Sequence, residues 1–242
     1  MGGMLSKLRK LLQQLYLLFR SYVLLASRRV APAVAGDLNT LAVLYGTDKA
    51  VGRHGYTPYY ARHLAPRRRS VRCILEIGIG GTPYDDPRSG GNSLRMWRSY
   101  FPRATVYGMD IYEKCLDREP RIHTICGDQS DSDFLAHIAE MLPHLDLIID
   151  DGSHIGPHIV SSFVTLFPLL APGGFYVIED LETAYRASFQ GGPPGTPDTG
   201  IELVKSLLDD IHLGPRPVAS VHVYPGIVFV EKAATAATPL SE

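Results

Sequence analysis

The feature that most constrains the fold is an apolar run that ends abruptly in glycines, CILEIGIGG over residues 73–81. It contains no turn-forming residue before Gly78, so it predicts a buried strand that enters a tight turn. Glycines at the carboxyl end of a parallel strand let backbone N–H groups approach a nucleotide-like ligand. Gly78 and Gly80 are therefore candidate cofactor-binding residues. Because Gly-x-Gly-Gly also occurs in ordinary strand-to-helix turns of α/β proteins, this assignment needs support from other motifs.

Predicted strands and helices alternate along the rest of the chain. The strands are predicted at 72–77, 104–109, 121–126, 145–150 and 174–179, and the helices at 92–100, 131–141, 156–170 and 199–212. Such alternation implies an α/β fold with a parallel sheet and helices on both faces. Two β-rich runs on either side of Pro225-Gly226 predict a C-terminal antiparallel hairpin, which gives seven strands in total. Two long loops, 82–92 and 182–200, are expected to act as functional lids.

Residues 1–35 are predicted to be an amphipathic helix and linker, and residues 36–242 the main domain. Leucines at helical spacing form an apolar stripe within residues 5–29. Arg20 interrupts this stretch, so we expect no membrane span, and Gln13 and Gln14 break the apolar core of a signal peptide. The favoured role is packing on the domain or on a second subunit in a homo-oligomer. Peripheral membrane contact is the alternative.

The overall composition is that of a globular enzyme rather than a nucleic-acid-binding protein. The 242 residues are 45% hydrophobic and carry a net charge of −1. The one basic run, residues 67–69, lies in a short connector, so no groove for a phosphate backbone is predicted. The three cysteines have no Cys-x-x-Cys spacing, and Cys73 and Cys126 fall in predicted strands. We expect buried core thiols in a reducing, cytoplasmic compartment.

A polar, aromatic-rich segment precedes the first strand. Residues 45–49 read YGTDK and residues 54–60 read HGYTPYY. One interpretation is a segment that closes over a ligand. The other is a capped helix pair that covers the sheet, with Thr57 as N-cap and Pro58 in the first turn. The two interpretations are compatible.

Acidic residues follow the second and third predicted strands. Asp110 ends the second strand, where a carboxylate is placed to accept hydrogen bonds from both hydroxyls of a ribose. Nicotinamide enzymes use the same position, so Asp110 does not identify the cofactor. Asp128 and Gln129 follow the third strand and are expected to reach the amino edge of an adenine. The alternative for Asp128 is an acid at a helix N-terminus.

A larger acidic group follows the fourth and fifth predicted strands. These strands are expected to be neighbours about 4.8 Å apart, so that their carboxyl ends converge. Four carboxylates at one edge repel each other, and a divalent cation resolves the repulsion. Hard oxygen ligands without a thiolate favour magnesium over zinc. His154 is the candidate general base because imidazole changes charge near neutral pH, and His158 is a weaker candidate. The four acids are Asp150, Asp151, Glu179 and Asp180.

Taken together, these motifs resemble those of a known enzyme family. The matching segments are EIGIGG at 76–81, GGNSLRMW at 90–97, DIY at 110–112, GDQSD at 127–131, DDGSH at 150–154 and VIED at 177–180. The segment 38–185 resembles the macrocin and mycinamicin sugar O-methyltransferases. These are class I enzymes that depend on S-adenosylmethionine and magnesium. The resemblance implies a Rossmann-like methyltransferase domain over residues 36–242.

The resemblance also implies roles for individual residues. It makes His154 the general base, and it makes a sugar hydroxyl of a small molecule or oligosaccharide the acceptor. The macrolide enzymes carry a further N-terminal domain where one helix is predicted here. The compact mycobacterial methylmannose polysaccharide 1-O-methyltransferase is also similar in size, so both kinds of sugar stay open. The implied metal ligands are Asp151, Glu179 and Asp180, and the cofactor-binding residues are Glu76, Gly78, Gly80, Asp110, Asp128, Gln129 and Asp150.

Two other function classes remain as alternatives. A nicotinamide-dependent oxidoreductase predicts a Gly-x-Gly-x-x-Gly turn and an acid about 20 residues further on. Here Asp110 follows Gly78 by 32 residues. The non-enzymatic alternative is a metal-bound scaffold or a membrane-docked binding module.

Overall fold

A computed structural model of the chain describes Ser6, Leu15, Ala26, Ser27 and residues 29–116, 119–142, 144–214 and 216–234. Seven strands form one sheet in the order β3-β2-β1-β4-β5-β7-β6. Strands β1 to β5 pair in parallel, and β7 pairs antiparallel with both β5 and β6. The strands are β1 (Cys73–Ile77), β2 (Thr105–Asp110), β3 (Ile122–Cys126), β4 (Leu145–Asp150), β5 (Leu170–Ile178), β6 (Val218–Tyr224) and β7 (Ile227–Lys232).

Helices cover both faces of the sheet, as the sequence predicts. Successive side chains of a strand point to opposite faces. Accordingly Ile74 packs in one apolar cluster, together with Trp97, and Leu75 packs in the other, together with Phe163. The first cluster contains residues of α1 to α3 and the second contains residues of α4 to α6. The helices are α1 (Leu38–Tyr45), α2 (Thr57–Leu64), α3 (Asn92–Tyr100), α4 (Ser132–Met141), α5 (Gly156–Leu166) and α6 (Gly200–Leu213).

Short polar side chains define several helix starts. Asp37 accepts a hydrogen bond from the Thr40 amide at α1, and Asp131 accepts from two amides at the start of α4. Such caps satisfy N–H groups that have no partner within the helix. The predicted cap at Thr57 is wrong, because α2 begins at this residue and Tyr56 is its cap. The Thr57 hydroxyl donates instead to Asn39 Oδ1 at 2.8 Å, which joins α2 to α1.

Two further predictions need correction. Helix α5 ends at Leu166 rather than at residue 170, and a 3₁₀ turn at Phe167–Leu169 leads into β5, which begins at Leu170 rather than at 174. Pro168 lacks the N–H that would continue the α-helical ladder. The cysteines are not all core residues: Cys73 is half-buried and packs against the apolar cluster that contains Leu75, whereas Cys115 and Cys126 are exposed. Cys126 is exposed because β3 is the edge strand of the sheet.

The loop between β1 and α3, predicted as a lid, is tied to the segment that follows β2. Lys114 Nζ donates to the Tyr84 carbonyl at 2.5 Å and lies 3.4 Å from Ser89 Oγ. The Cys115 amide donates to the Pro87 carbonyl at 2.8 Å. These bonds hold the loop beside that segment in the described arrangement, and its movement as a lid stays a prediction. The second predicted lid contains two 3₁₀ turns, Leu181–Tyr185 and Ala187–Phe189, and its movement stays a prediction.

The predicted N-terminal amphipathic helix lies almost entirely outside the described residues. Its proposed contacts with a second subunit or a membrane surface therefore stay predictions. Within the part of the chain that the structure describes, none of the helices has the length and apolar character needed to cross a membrane.

The packing between β2 and α3 predicts the effect of a small substitution. A Cβ added at Gly108 would lie 2.6 Å from Leu94 Cδ1 and 2.9 Å from Ile79 Cγ1, and both neighbours are buried. Gly108→Ala is therefore expected to lower the free energy of unfolding by roughly 1–3 kcal/mol, the usual cost of overpacking. Urea denaturation measures this change.

Gly36→Ala is the matched control, because an added Cβ at Gly36 meets no atom within 4 Å. It should leave stability unchanged or raise it slightly by restricting the unfolded chain. Equal effects of the two substitutions would contradict the described packing of β2.

Candidate active site

The carboxyl ends of the parallel strands surround a cleft of about 870 Å³. Asp110, at the end of β2, and Asp128, after β3, line one side of it. Asp151, after β4, and Asp180, after β5, line the other side. Because β1 separates β2 from β4 in the sheet, the glycine turn lies between the two pairs of acids. This is the position at which open α/β sheets bind ligands.

The two predicted cofactor-binding glycines have different structural roles. Gly78 has φ +91°, and a Cβ there would lie 2.0 Å from the Asp151 carbonyl oxygen. Packing between the turn and the segment after β4 is therefore enough to require this glycine. Gly80 has φ +64°, and a Cβ there would meet no atom within 4 Å. The space beside Gly80 is thus open to a ligand in the cleft.

Asp110 is fixed by the backbone on both sides. Its Oδ2 accepts a hydrogen bond from the Ile79 amide, and its Oδ1 accepts one from the Tyr112 amide, both at 2.9 Å. An ionised carboxylate has about four acceptor positions, so each oxygen keeps capacity for one more donor. The arrangement fits the predicted role of accepting two hydroxyl groups.

Asp128 and Gln129 differ in what they offer to the cleft. Asp128 Oδ1 accepts from the amide and the hydroxyl of Ser130, both at 2.8 Å, and these bonds lower the pKa of Asp128. Gln129 Nε2 donates to Asp150 Oδ1 at 2.7 Å and to Ser162 Oγ at 2.9 Å, and its Oε1 accepts from the Ser153 amide. The amide of Gln129 is engaged within the protein, but Gln129 also lines the cleft, so its predicted contact with an adenine edge stays a prediction.

Asp150 supports the site from below the cleft surface. It is buried and does not line the cleft, unlike its neighbour Asp151. Besides Gln129, its carboxylate accepts hydrogen bonds from Ser162 at 3.0 Å and Tyr176 at 3.1 Å. Burial raises the pKa of Asp150 to about 6, and the hydrogen bonds oppose this rise. Asp150 is the last residue of β4 and does not line the cleft in the described arrangement, so its predicted contact with the cofactor stays a prediction.

Three side chains form a group that fits a metal ion. One ligand atom from each of Asp151, His154 and Asp180 lies within 4.8 Å of the others. His154 Nε2 is 3.6 Å from Asp180 Oδ2 and 4.0 Å from Asp151 Oδ1. His154 and Asp180 both have positive φ, at 57° and 52°. Non-glycine residues adopt this conformation rarely, and it is enriched at functional sites.

Glu179 lies outside that group in the described arrangement. Its Oε2 accepts from Lys49 Nζ at 2.7 Å, and its Oε1 accepts from the Tyr60 hydroxyl at 2.5 Å. The set predicted from sequence was Asp151, Glu179 and Asp180. In the structure His154 takes the place of Glu179, so a role for Glu179 as a metal ligand stays a prediction.

Lys49 is the site residue that the sequence interpretation missed. It is fully buried, and its Nζ lies 2.6 Å from Asp151 Oδ2 and 3.5 Å from Glu76 Oε1, in addition to its bond with Glu179. Burial alone would lower the pKa of Lys49, but the surrounding carboxylates outweigh it and the pKa is raised. The available signal was the lysine of the segment YGTDK. The sequence analysis interprets this segment as a cover for the sheet or the ligand and gives the lysine no role of its own.

The predicted cofactor contact of Glu76 stays a prediction, because this residue lies beneath the cleft in the described arrangement. Its carboxylate is completely buried and does not line the cleft. Burial raises the pKa of Glu76 to about 7, and the nearby Lys49 opposes this rise. The side chain of Glu76 projects from β1 towards the lead-in segment, so its partner is the ammonium group.

The lead-in segment also closes the metal side of the cleft. The Tyr56 hydroxyl donates to Asp180 Oδ1 at 2.6 Å, and His54 Nδ1 lies 3.0 Å from the same oxygen. Burial and the hydrogen bond to Asp180 raise the pKa of Tyr56. The two interpretations of this segment, a cover for the sheet and a wall beside the ligand, are thus compatible with the structure.

Two sequence relatives and one solved structure define what the chain is similar to. No family model matches the sequence. The chain is 45% identical over 222 residues to 8-demethyl-8-alpha-L-rhamnosyl tetracenomycin-C 2'-O-methyltransferase of Streptomyces olivaceus, across 86% of this chain and 57% of that protein. It is 42% identical over 233 residues to demethylmacrocin O-methyltransferase of Streptomyces fradiae, across 88% of this chain and 58% of that protein. The chain is a homologue of sugar O-methyltransferases. The resemblance inferred from its motifs is confirmed.

The fold matches that of MycE methyltransferase from the mycinamycin biosynthetic pathway, solved in complex with Mg, SAH and mycinamycin VI. The two chains are 47% identical with a TM-score of 0.77, and the match covers 81% of this chain and 54% of the MycE chain. This confirms the predicted Rossmann-like methyltransferase fold. The chain spans a little over half the length of the relatives it matches.

The buried Asp150 predicts a specific dependence of stability on pH. Its pKa is about 6 in the folded protein and about 3.9 in an unfolded chain, so the folded state holds the proton more tightly. The contribution of protonated Asp150 to the free energy of unfolding is complete below about pH 4. It is lost as the pH rises through about 6. Asp150→Asn removes this titration.

The free energy of unfolding of the wild type relative to Asp150→Asn should therefore fall between pH 4 and pH 6, by up to about 3 kcal/mol. Urea denaturation of both proteins without divalent cations measures the difference. A difference that stays constant across this range would show that Asp150 is not held in a proton-binding environment.

Proposed function

We propose that this chain transfers a methyl group from S-adenosylmethionine to a sugar hydroxyl, with magnesium bound beside the acceptor. The observation that carries the proposal is a single cleft with Asp110 on one side of the glycine turn and the group of Asp151, His154 and Asp180 on the other. The homologues named above are O-methyltransferases, and MycE was solved with Mg, SAH and mycinamycin VI. The acceptor is proposed to be a glycosylated small molecule or a polysaccharide.

The cofactor side of the cleft offers hydrogen-bond acceptors and open space that suit an adenosyl group. S-adenosylmethionine supplies a methyl group that its sulfonium already activates. Asp110 is proposed to accept the ribose hydroxyls, because both of its oxygens are oriented by backbone amides and keep acceptor capacity. Gly80 leaves open space at the turn where a side chain would intrude. The protein's task here is alignment of donor and acceptor.

The ligand atoms on the metal side of the cleft suit a hard divalent cation. The carboxylates of Asp151 and Asp180 offer oxygen ligands, and no cysteine sulfur belongs to the group among the described residues. A divalent cation supplies Lewis acidity that lowers the pKa of a coordinated hydroxyl. Asp151 keeps Oδ1 directed towards His154 because Lys49 engages Oδ2. Asp180 likewise presents Oδ2, since Tyr56 engages Oδ1.

His154 is proposed as the group that removes the acceptor proton. Its Nε2 is directed towards the two acids, and its Nδ1 is buried without a hydrogen-bond partner in the described part of the chain. The second candidate role for His154 is that of a metal ligand, which its place in the three-residue group favours. The two roles make different predictions for magnesium affinity.

The proposed cofactor is tested by ligand-induced stabilisation. S-adenosylmethionine or its demethylated product should raise the melting temperature of the chain, and NAD should not. A ligand at 100 times its dissociation constant stabilises a protein by about 2.7 kcal/mol. Stabilisation by NAD alone would favour the oxidoreductase instead.

Asp110→Ala is the matched variant in the same measurement. It should weaken S-adenosylmethionine binding by roughly 10- to 100-fold, because two charge-assisted hydrogen bonds to the ribose are lost. The exposed Asp133 on α4 provides the control Asp133→Ala, which should keep wild-type affinity.

The role of His154 is tested by separating turnover from binding. As a general base, His154→Ala should lower kcat by roughly 10²–10⁴-fold while the affinities for S-adenosylmethionine and magnesium stay within about twofold. Turnover is measured per folded, cofactor-saturated molecule with labelled methyl donor. His137→Ala, at an exposed position on α4, is the control.

A loss of magnesium affinity in His154→Ala would assign His154 as a ligand rather than a base. A loss of kcat below about threefold would remove His154 from the mechanism, and His158, which lines the same cleft, would be the next residue to test.

A further inference from the structure

Among the described residues, Lys49 is the one cation that contacts three carboxylates. These lie on β1 or directly after β4 and β5. Lys49 Nζ is 2.6 Å from Asp151 Oδ2, 2.7 Å from Glu179 Oε2 and 3.5 Å from Glu76 Oε1. It has no exposed surface and does not line the cleft. Any influence of Lys49 on a bound ligand therefore passes through the carboxylates that it holds.

Hydrogen bonds of the backbone position the segment that carries Lys49. The carbonyl of Lys49 accepts from the Thr57 amide at 3.1 Å, and the adjacent Ala50 carbonyl accepts from the amides of Arg53 and Gly55. The Val51 amide donates to Asn39 Oδ1 at 2.8 Å. These bonds connect the short segment between α1 and α2 to both helices. The packing of the two helices therefore determines where the side chain of Lys49 begins.

The contact with Asp151 has a directional consequence. Lys49 engages Oδ2 of Asp151, which leaves Oδ1 facing His154 Nε2 at 4.0 Å. A carboxylate with one oxygen bound to a buried ammonium offers the other as a single, oriented ligand. Glu179 is restrained in the same way, with Lys49 on one oxygen and Tyr60 on the other.

We propose that Lys49 is a positioning residue of the metal site, which orients Asp151 towards a divalent cation without touching the cation, the cofactor or the acceptor. The inference rests on the proposed function, since it assigns a role in the same site. It differs from a purely structural role of Lys49, which is to neutralise buried carboxylates. A structural role affects stability, whereas a positioning role also affects the affinity for magnesium.

The variant that separates these roles keeps the buried charge balanced. Lys49→Met removes one positive charge, and Glu76→Gln removes one negative charge from a carboxylate that contacts Lys49 but lies off the cleft. At a pH above about 7, where Glu76 is ionised, the double variant therefore leaves the net charge around Asp151 and Glu179 unchanged. A change in magnesium affinity then reports the orientation of the ligands rather than the local charge.

Magnesium binding is measured by isothermal titration calorimetry on the wild type, on Glu76→Gln and on the double variant. We expect the double variant to bind magnesium at least tenfold more weakly than the wild type and than Glu76→Gln. The affinities of Glu76→Gln and the double variant for S-adenosylmethionine should be equal within twofold. Lys114→Met is the matched control. Lys114 is also buried, but its ammonium donates to a carbonyl and a hydroxyl and not to a carboxylate, so magnesium affinity should stay at the wild-type value.

Equal magnesium affinity in the wild type and the double variant would overturn the inference and leave the proposed function intact. A wild-type protein that binds neither magnesium nor S-adenosylmethionine would overturn both. If the double variant does not fold, Lys49→Arg replaces it, because arginine keeps the charge but changes the shape of the donor. A magnesium affinity of Lys49→Arg within twofold of wild type would then overturn the inference.

Discussion

The site depends on the burial of several carboxylates around one ammonium group. Glu76 on β1, Asp151 after β4 and Glu179 after β5 converge because the carboxyl ends of three adjacent parallel strands meet, and Lys49 enters from the segment between α1 and α2. An unpaired buried carboxylate costs several kcal/mol, and removal of one partner of a buried pair is strongly destabilising. The position of this lead-in segment and the geometry of the acids are therefore coupled.

The two sides of the cleft are built by different means. On the cofactor side the backbone orients the functional group: amides of the glycine turn and of the loop after β2 fix Asp110. On the metal side other side chains do so, with Lys49 on Asp151 and Tyr56 on Asp180. The backbone of a strand end is set by the sheet, whereas side-chain pairs require that distant segments pack correctly. The metal side is therefore more sensitive to substitutions far from the cleft.

Much of this arrangement follows from local sequence signals, and the exceptions share a physical cause. The alternation of apolar runs and turns predicts the sheet, and an acid at a strand end predicts Asp110 and Asp151 on the cleft. Lys49 was missed because its partners Asp151 and Glu179 are 102 and 130 residues away along the chain. The burial of Glu76 and Asp150 and the internal hydrogen bonds of Gln129 were not predicted, because sequence gives the position of a residue but not the direction of its side chain. The exposure of Cys126 depended on β3 being the edge strand, which is a property of strand order.

The central claim is that the acids at the ends of β4 and β5 form a divalent cation site. Calorimetric titration of the chelator-treated protein with magnesium tests it without knowledge of the acceptor. The account predicts saturable binding of one ion to the wild type, loss of binding in both Asp151→Asn and Asp180→Asn, and wild-type binding in Asp133→Asn at an exposed position on α4. Absence of binding in the wild type, or equal binding in all four proteins, would contradict it.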